Sequence, residues 1–213
     1  DREDLGDDEG IAFEALVEGS ALVVEQDWFD SRPPDEQDAI EVEEEGSASE
    51  GDPTDDVFTR LLSFPYAVGP DFVLRVLDDG GRERLDGAFA QPPGSTEQVL
   101  HPETFLAGEG ARPVADPEAD GEELERSSLG ELGLILVLEQ AVERDVAFEA
   151  AAGWGGDRYV AWRDGDRTCV RRNIMMDTSQ DTTEVVGALR AWVRSNPGAT
   201  LRGSDPVELT SCG

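Results

Sequence analysis

The stretch IAFEALVEGSALVVEQDWFD, residues 11–30, carries the clearest amphipathic helix pattern in the first half of the chain. Its aliphatic residues and its glutamates each recur at the spacing of helical turns. We therefore predict a helix over residues 11–29, which Pro33 and Pro34 prevent from continuing. Glu18 precedes the small residues Gly19-Ser20-Ala21, where another backbone or an ion can approach closely. Its carboxylate is either a binding group or part of the solvated acidic edge of a core helix.

The composition indicates adaptation to very high salt. Aspartate and glutamate number 49 against 17 basic residues, all of them arginine, and the formal net charge is −32. Such a charge forces a compact state apart in dilute buffer, whereas in molar salt the Debye length is only about 3 Å. An apolar fraction of 38% argues against disorder. Nucleic acid and anionic membrane surfaces are poor partners for this charge.

The sequence also bears on the compartment of the protein. No apolar run approaches the roughly 18 residues that a membrane-spanning helix needs. The chain begins with DREDLGDDEG and not with Met, which we take to indicate a processed or truncated piece of a longer protein. A disulfide between Cys169 and Cys212 would stabilise the folded chain by about 4 kcal/mol in the chain-entropy model. It would also fit an extracytoplasmic protein. Two free buried thiols are the alternative.

The pattern as a whole predicts an α+β fold. Residues 1–128 are predicted to form a mainly helical region with acidic loops at 35–56 and 107–128, and residues 129–213 a smaller unit packed on it. The elements predicted after the first helix are helical pieces at 57–62 and 64–77 broken at Pro65 and Gly69-Pro70, a short helix at 84–89, a long helix at 129–150, hairpin strands at 158–163 and 168–176, a helix at 183–195 and a strand at 206–212. Trp154 is predicted to plug the core against Trp162 and Trp192.

His101 is the only histidine of the chain. It follows a short segment for which Ser95 or Thr96 is the predicted helix cap. A single histidine before a proline is usually a structural hydrogen-bonding residue. The sequence contains no G-x-S-x-G, P-loop, dinucleotide-binding or EF-hand motif, and its carboxylates are too numerous for any pair to stand out as a glycosidase couple.

Five segments together resemble a known class of proteins. They are ALVEGSA at 15–21, FPYAVGPDFV at 64–73, PPGSTEQVLHPETFLAGE at 92–109, GWGGDRYVAW at 153–162 and MMDTSQDTTEVVGAL at 175–189. They resemble the downstream portion of secreted zinc-metallopeptidase-like proteins, which carry an HExxH helix and a glutamate on a following helix, the gluzincin arrangement. The segment at 92–109 is the most specific of the five.

The resemblance implies roles for three residues. Catalytic zinc takes three protein ligands and leaves one position open for water. Glu18 would be the third zinc ligand, with Glu14 orienting a ligand from the second shell. His101 would lie in the wall of the cleft and stabilise the oxyanion of peptide hydrolysis.

The chain departs from that class in one decisive respect, because with a single histidine it cannot build an HExxH motif. Zinc is therefore expected only if an HExxH segment lies upstream of residue 1, and this chain alone is expected to be inactive. The expected partner is the N-terminal portion of the same protein or another chain, the expected substrate a peptide, and the expected location extracellular or at the cell surface. The alternatives are a non-catalytic pseudopeptidase that serves as a cell-surface scaffold or assembly subunit, and an unrelated acidic module.

Overall fold

The computed structural model of the chain describes residues 8–47 and 57–213, and it describes side chains for residues 8–40 and 57–213. The fold is α+β, as predicted. Two compact units divide the chain: one comprises residues 12–93, and the other comprises Gly94–Gly213 with the N-terminal residues to Ile11. The predicted organisation, with residues 129–213 packed on residues 1–128 as one unit, stays a prediction. We refer to the two compact units as the helical unit and the sheet unit.

The described residues of the helical unit form three helices: α1 Asp8–Asp30, which starts in the sheet unit, α2 Pro34–Ser47 and α3 Val57–Ala90. The predicted first helix is confirmed, and α2 begins at Pro34, a residue that the first turn of a helix tolerates. Residues 35–56 were predicted to be mostly loop, with a short helix at the start as an alternative, and the segment is helical up to Ser47. Asp35 and Glu36 favour a helix N-terminus, and the glutamates after them are strong helix formers. The rest of that segment lies outside the described residues.

Helix α3 does not break where the prolines predicted a break. Pro65 and Pro70 both lie inside the helix, although a proline in a helix interior costs about 3 kcal/mol. Burial of the apolar side of α3, which includes Phe72 and Val76, offsets that cost. The backbone leaves helical geometry at Gly80 and Gly81, where Gly81 has a φ of 65°, which confirms the predicted break between the helical pieces at 64–77 and 84–89.

Helices α1 and α3 meet at a pair of glycines. A Cβ on Gly19 would lie 2.2 Å from the carbonyl carbon of Gly69, and a Cβ on Gly69 would lie 2.4 Å from the carbonyl oxygen of Ala15. The two backbones therefore pack without side chains between them. The prediction that another backbone approaches the small residues after Glu18 is confirmed.

The sheet unit contains ten elements: α4 Thr96–Leu100, α5 Pro102–Ala107, β1 Glu122–Ser127, α6 Gly130–Leu138, α7 Arg144–Ala151, β2 Trp154–Asp164, β3 Arg167–Met176, α8 Ser179–Ser195, β4 Thr200–Gly203 and β5 Val207–Cys212. The strands form one antiparallel sheet in the order β1-β2-β3-β5-β4. The predicted hairpin, C-terminal helix and final strand are confirmed. The loop predicted over 107–128 is wrong at β1, an edge strand with a mostly exposed acidic sequence that lacks apolar alternation.

The predicted long helix over residues 129–150 is also wrong, because α6 ends at Leu138 and α7 begins at Arg144. The apolar residues of α6 and α7 do not form one stripe. They fold back on each other around a core that also contains Trp154 and Trp192. Trp162 lies instead in a separate cluster with Val160 and Cys169. The three tryptophans therefore do not pack together as one group.

Cys169 and Cys212 form a disulfide at directly paired positions of β3 and β5, which confirms the predicted link between the hairpin and the last strand. A disulfide is typical of proteins that fold in oxidising compartments. Among the described residues, no helix has the length and apolar character needed to cross a membrane.

Candidate functional site

The candidate site begins with the one-turn helix α4. Ser95 caps it by accepting a hydrogen bond from the backbone N–H of Gln98, which confirms the predicted cap. The backbone N–H of His101 donates to the carbonyl oxygen of Glu97 at 2.7 Å, so the two residues are four apart on one helical turn. Residues at this spacing project from the same helix face. Pro102 then starts α5 and fixes the end of α4 at His101.

His101 is joined to a buried carboxylate. Its Nε2 lies 3.0 Å from Oε1 of Glu131, whose side chain is 2% exposed, while 35% of the imidazole is exposed. The other ring nitrogen, Nδ1, lies 3.9 Å from Oε1 of the exposed Glu103. Glu131 belongs to the first turn of α6, where a carboxylate is favoured by the helix dipole. The imidazole is thus hydrogen-bonded to the buried Glu131 carboxylate, and about a third of its surface is exposed to solvent.

The environment changes the protonation of both partners. The hydrogen bond that the imidazolium donates to Glu131 raises the pKa of His101 above its ordinary value, and burial opposes that rise. Burial raises the pKa of the Glu131 carboxyl, and its hydrogen bond to His101 opposes the effect. The pair therefore retains a proton to higher pH than a free histidine would.

Two further carboxylates belong to the same site. Glu97 is only 9% exposed, and burial, followed by the charges of Asp177 and Glu131, raises its pKa to about 7. Asp177, which directly follows β3, is exposed to solvent, and its partial desolvation raises its pKa against the opposing effect of Arg112. We call Glu97, His101, Glu131 and Asp177 the acidic cluster.

The fold holds Asp177 through its backbone and through two glycines. The Asp177 N–H donates to the carbonyl oxygen of Gly153 at 2.8 Å. A Cβ on Gly155 would lie 2.7 Å from Asp177 Oδ1 and 3.1 Å from Cδ of Arg112, so only glycine leaves room for both. The Arg112 guanidinium itself donates to the carbonyl oxygen of Met176 at 2.8 Å.

A buried polar network holds the start of α6 and hence Glu131. Arg172 Nε donates to Asp157 at 2.8 Å, with both side chains almost fully buried. Asp157 also accepts from the N–H of Gly130 at 3.0 Å, and Arg172 donates to the carbonyl oxygen of Gly130 at 2.8 Å. The residue immediately before Glu131 is therefore fixed on both its donor and its acceptor side.

A second buried contact links α4 to the N-terminus of α1. Asp8 accepts hydrogen bonds from Thr96 N at 3.0 Å and Thr96 Oγ1 at 2.6 Å. Thr96 Oγ1 in turn accepts from the N–H of Leu132 at 3.1 Å. Burial is the main cause that raises the pKa of Asp8 to about 6. These bonds tie α4 to α6 and set the distance between His101 and Glu131.

The residues that the resemblance singled out belong to two different units. Glu14 and Glu18 are half-buried on α1 in the helical unit, whereas His101 belongs to the sheet unit. Within residues 8–40 and 57–213, no three His, Cys, Asp or Glu side chains converge in a set that could hold a metal ion. The assignment of Glu18 as a zinc ligand, with Glu14 behind it, stays a prediction.

Sequence reasoning missed the partners of His101. The i,i+4 spacing of Glu97 and His101 could have indicated that the two side chains are neighbours, because the residues between them form a helical turn. Glu131 was another, because it is the only charged residue in the apolar run LGELGLILVL, where burial of a carboxylate follows. Nothing in the sequence pointed to Asp177.

Comparison with known proteins adds one finding. Residues 118–211 match the family model of a domain of unknown function, DUF8575. No curated protein and no solved structure matches the chain. The matched segment contains Glu131 and Asp177, and it begins after α4, which carries Glu97 and His101.

Proposed function

We propose that the chain is part of an extracellular or cell-surface zinc-metallopeptidase-like protein of a high-salt organism, in which His101 stabilises the oxyanion of peptide hydrolysis. The observation that carries the proposal is the 3.0 Å contact between His101 Nε2 and Glu131 Oε1. It joins a partly exposed imidazole to a buried carboxylate. The choice of a peptide as the substrate and of hydrolysis as the reaction rests on the five segments that resemble this class of peptidases.

The pair fits that role for a simple chemical reason. The Glu131 carboxylate accepts a hydrogen bond from Nε2–H and orients the ring, which leaves Nδ1–H of the imidazolium as a second donor. When water adds to a peptide carbonyl, negative charge develops on the carbonyl oxygen, and a fixed donor at that oxygen lowers the barrier. Because Glu131 raises the pKa of His101, the ring carries that donor at a higher pH than a free histidine.

The described residues do not make a zinc site by themselves. The proposal therefore requires that an HExxH helix come from another segment of the protein or from another chain. Zinc, when bound, would activate the attacking water. Glu18 is the residue of this chain that we assign to the metal, and Glu14 is assigned to orienting a ligand.

The test uses the full-length protein. Zinc content is measured after dialysis, and hydrolysis of a fluorogenic peptide library is measured in molar salt. His101→Gln is expected to lower kcat about 100-fold or more with little change in KM, since loss of one oxyanion donor costs about 10²–10³ in rate. Glu131→Gln is expected to shift the alkaline limb of the pH–rate profile to lower pH. Glu18→Ala is expected to lose the metal.

Two results would overturn the proposal. A full-length protein that holds no zinc and hydrolyses no peptide removes the peptidase function. An active protein whose kcat is unchanged by His101→Gln removes the role of His101. Glu103→Gln serves as the matched control, because Glu103 is exposed beside the same ring and is expected to change kcat little.

A second candidate is a non-catalytic cell-surface scaffold or assembly subunit. It is favoured by a groove of about 620 Å³ in the helical unit, which is lined mainly by apolar side chains, among them Leu22, Val23, Trp28, Phe29, Ile40 and Leu74. Trp28 is 51% exposed and Leu74 47% exposed. Exposed apolar surface of this kind often marks a binding site. This candidate expects a metal-free full-length protein whose Trp28→Glu variant is released from the cell envelope on fractionation.

A further inference from the structure

The sheet has two covered faces, and an extended segment of the chain covers the outer one. Successive residues of a strand alternate between the faces of a sheet. Helices α6, α7 and α8 pack on one face around the main core. The opposite face carries the smaller cluster that contains Trp162 and Cys169, and Ala119 packs against that cluster. Trp162 is 3% exposed and Cys169 is 1% exposed. Residues 113–120, PVADPEAD, cover this face, and we call them the strap.

The strap contributes few apolar anchors of its own. Pro117 is buried, Val114 and Ala119 are partly buried, and the other five residues are exposed. The strap belongs to no helix or strand, and its two prolines have no N–H group to donate. Few buried apolar contacts and solvent-exposed hydrogen bonds are typical of segments that open locally while the rest of a fold stays closed.

Arginines on the outer face of the sheet hold the strap by its two aspartates. Arg158 Nε lies 2.6 Å from Asp116 Oδ1, and Arg126 Nη1 lies 3.7 Å from Asp116 Oδ2. Arg171 pairs with Asp120. The side chain of Asp116 is 47% exposed and that of Asp120 is 67% exposed. Dissolved ions can therefore reach these pairs and screen them.

Further hydrogen bonds and two fixed ends define where the closed strap lies. Side chains of the sheet donate to three carbonyl oxygens of the strap: Asn173 to Ala115 at 3.0 Å, Arg126 to Pro117 at 2.8 Å and Arg171 to Glu118 at 2.6 Å. Before the strap, the N–H of Arg112 donates to the carbonyl oxygen of Gly155 at 2.6 Å. After it, a Cβ on Gly121 would lie 2.2 Å from the carbonyl oxygen of Arg163, so the backbone packs directly on β2. Opening is therefore confined to the strap, which stays attached at both ends.

Salt acts on the strap and on the rest of the chain in opposite directions. Most charges of the chain repel one another, since 49 acidic residues stand against 17 basic ones. The strap is held by attraction between opposite charges. Dissolved ions screen both the repulsion and the attraction. Rising salt is therefore expected to stabilise the fold as a whole and to loosen the strap.

We propose that the strap is a salt-controlled cover of the Cys169–Cys212 disulfide. As the salt concentration rises, the strap opens locally and exposes Trp162 and the Cys169 sulfur, while the rest of the fold stays closed. The disulfide then becomes reducible in the folded chain: a thiolate attacks one sulfur, and the other sulfur leaves as a thiolate. The second thiol of a dithiol reagent resolves the mixed disulfide, which leaves two protein thiols and an oxidised reagent.

The experiment follows reduction of the disulfide in the native 213-residue chain at about 0.3, about 1 and about 3 M NaCl. Dithiothreitol is the reductant, iodoacetamide blocks the released thiols, and mass spectrometry counts them. Each rate is divided by the rate for oxidised glutathione in the same buffer, which removes the effect of salt on the reagent. We expect this normalised rate to rise at least about threefold from the lowest to the highest salt concentration. Reduction through global unfolding would instead slow down, because salt is expected to stabilise the fold.

Variants test whether the ion pairs of the strap control the rate. Asp116→Asn and Asp120→Asn are each expected to raise the rate at about 0.3 M NaCl by about two- to fivefold, the contribution of one partly exposed ion pair. In both variants the rate is expected to rise less with salt, since one screened attraction is gone. Asp164→Asn is the matched control, because Asp164 pairs with Arg167 beside the turn between β2 and β3, outside the strap. It also removes one negative charge, and it is expected to leave the rate unchanged.

Three results overturn the proposal: the wild-type rate falls or stays constant as salt rises, neither strap variant raises the rate at low salt, or Asp164→Asn raises it as much as they do. The salt series on the wild type needs no mutation, so it tests the proposal even where a variant does not fold. Zinc and peptide hydrolysis do not enter the measurement, and its outcome leaves the proposed function untouched.

Discussion

The charge on Glu97 is expected to destabilise the folded chain, and Glu97→Gln is expected to remove that cost. The substitution keeps the size and shape of the side chain. The pKa of Glu97 rises from 4.5 to about 7 on folding, so the folded chain binds more protons than the unfolded chain between those values. The free energy of unfolding therefore falls as the pH rises through this window.

The size of the effect follows from the shift. A difference of about 2.5 pKa units at about 1.36 kcal/mol per unit gives about 3 kcal/mol above the folded pKa. Near pH 5 the folded carboxyl is already neutral, and the cost is about 1 kcal/mol. We expect Glu97→Gln to be about 3 kcal/mol more stable than the wild type near pH 8.5, and the gain to shrink toward pH 5.

The assay is urea denaturation at fixed molar NaCl, at several pH values between about 5 and 8.5. Urea is chosen because it is uncharged and leaves the ionic strength fixed, whereas a guanidinium salt would change the screening of the carboxylates. Tryptophan fluorescence reports mainly on the sheet unit, because Trp154, Trp162 and Trp192 belong to it. Glu184→Gln is the control for the loss of one surface charge.

The contribution of Glu97 is obtained only from the difference in unfolding free energy between variant and wild type, because other groups also titrate. Four groups influence the charge of Glu97, and the pKa of each is raised in the folded chain: His101, Glu131, Asp177 and Asp8. All five groups therefore act in the same direction, and the wild type alone loses stability as the pH rises. A gain that is the same at all pH values, or a variant less stable than wild type near pH 8.5, refutes the reasoning.

Four further outcomes are expected. Replacing Cys169 and Cys212 by Ser should lower the free energy of unfolding by about 4 kcal/mol relative to the oxidised wild type, and the reduced wild type, as the control, should show a similar loss. Gly19→Val should cost at least about 2 kcal/mol in urea denaturation, because its Cβ would lie 2.2 Å from the facing backbone. Arg172→Met should cost about 3–5 kcal/mol, because it leaves Asp157 buried without its cation, and a smaller loss would mean that the pair contributes little. Lowering NaCl well below 1 M should lower the melting temperature, and a melting temperature indifferent to salt would contradict the high-salt interpretation.

The sequence predicted elements whose stability is local. The apolar spacing of α1, the cap at Ser95, and the turn with Gly165 between the hairpin strands are all encoded within a few residues. Elements that depend on distant contacts were misread. Strand β1 exists because it pairs with β2, and its sequence EELERS shows no alternation that would reveal the partner.

Two errors share a physical cause. Pro65 in α3 and the break after Leu138 both depend on how much apolar surface is buried, and local propensity does not report that quantity. Burial along α3 holds a helix that its prolines disfavour. In α6 nearly every residue is buried, so its apolar residues surround the helix and do not continue as a stripe into α7.

The candidate site was predictable only in part for the same reason. His101 stands out as the one histidine of the chain, and a histidine can donate, accept or exchange a proton near neutral pH. What makes it a candidate site is the carboxylate of Glu131, which is 30 residues away in sequence. That contact depends on the buried Asp157–Arg172 pair, which fixes the start of α6.

The proposed adaptation to high salt would account for the acidic composition, but it would not account for the acidic cluster. Mobile ions screen carboxylates that face solvent, and they screen buried ones much less. Glu97 and Glu131 are buried, so the cost of their charge is expected to persist in molar NaCl. The same unit places Arg172 against the buried Asp157, which shows that the fold can pair a buried carboxylate with an arginine. For Glu97 the imidazole of His101 opposes the rise in pKa, so the cost of its charge is expected to depend on the pH far more than on the salt concentration.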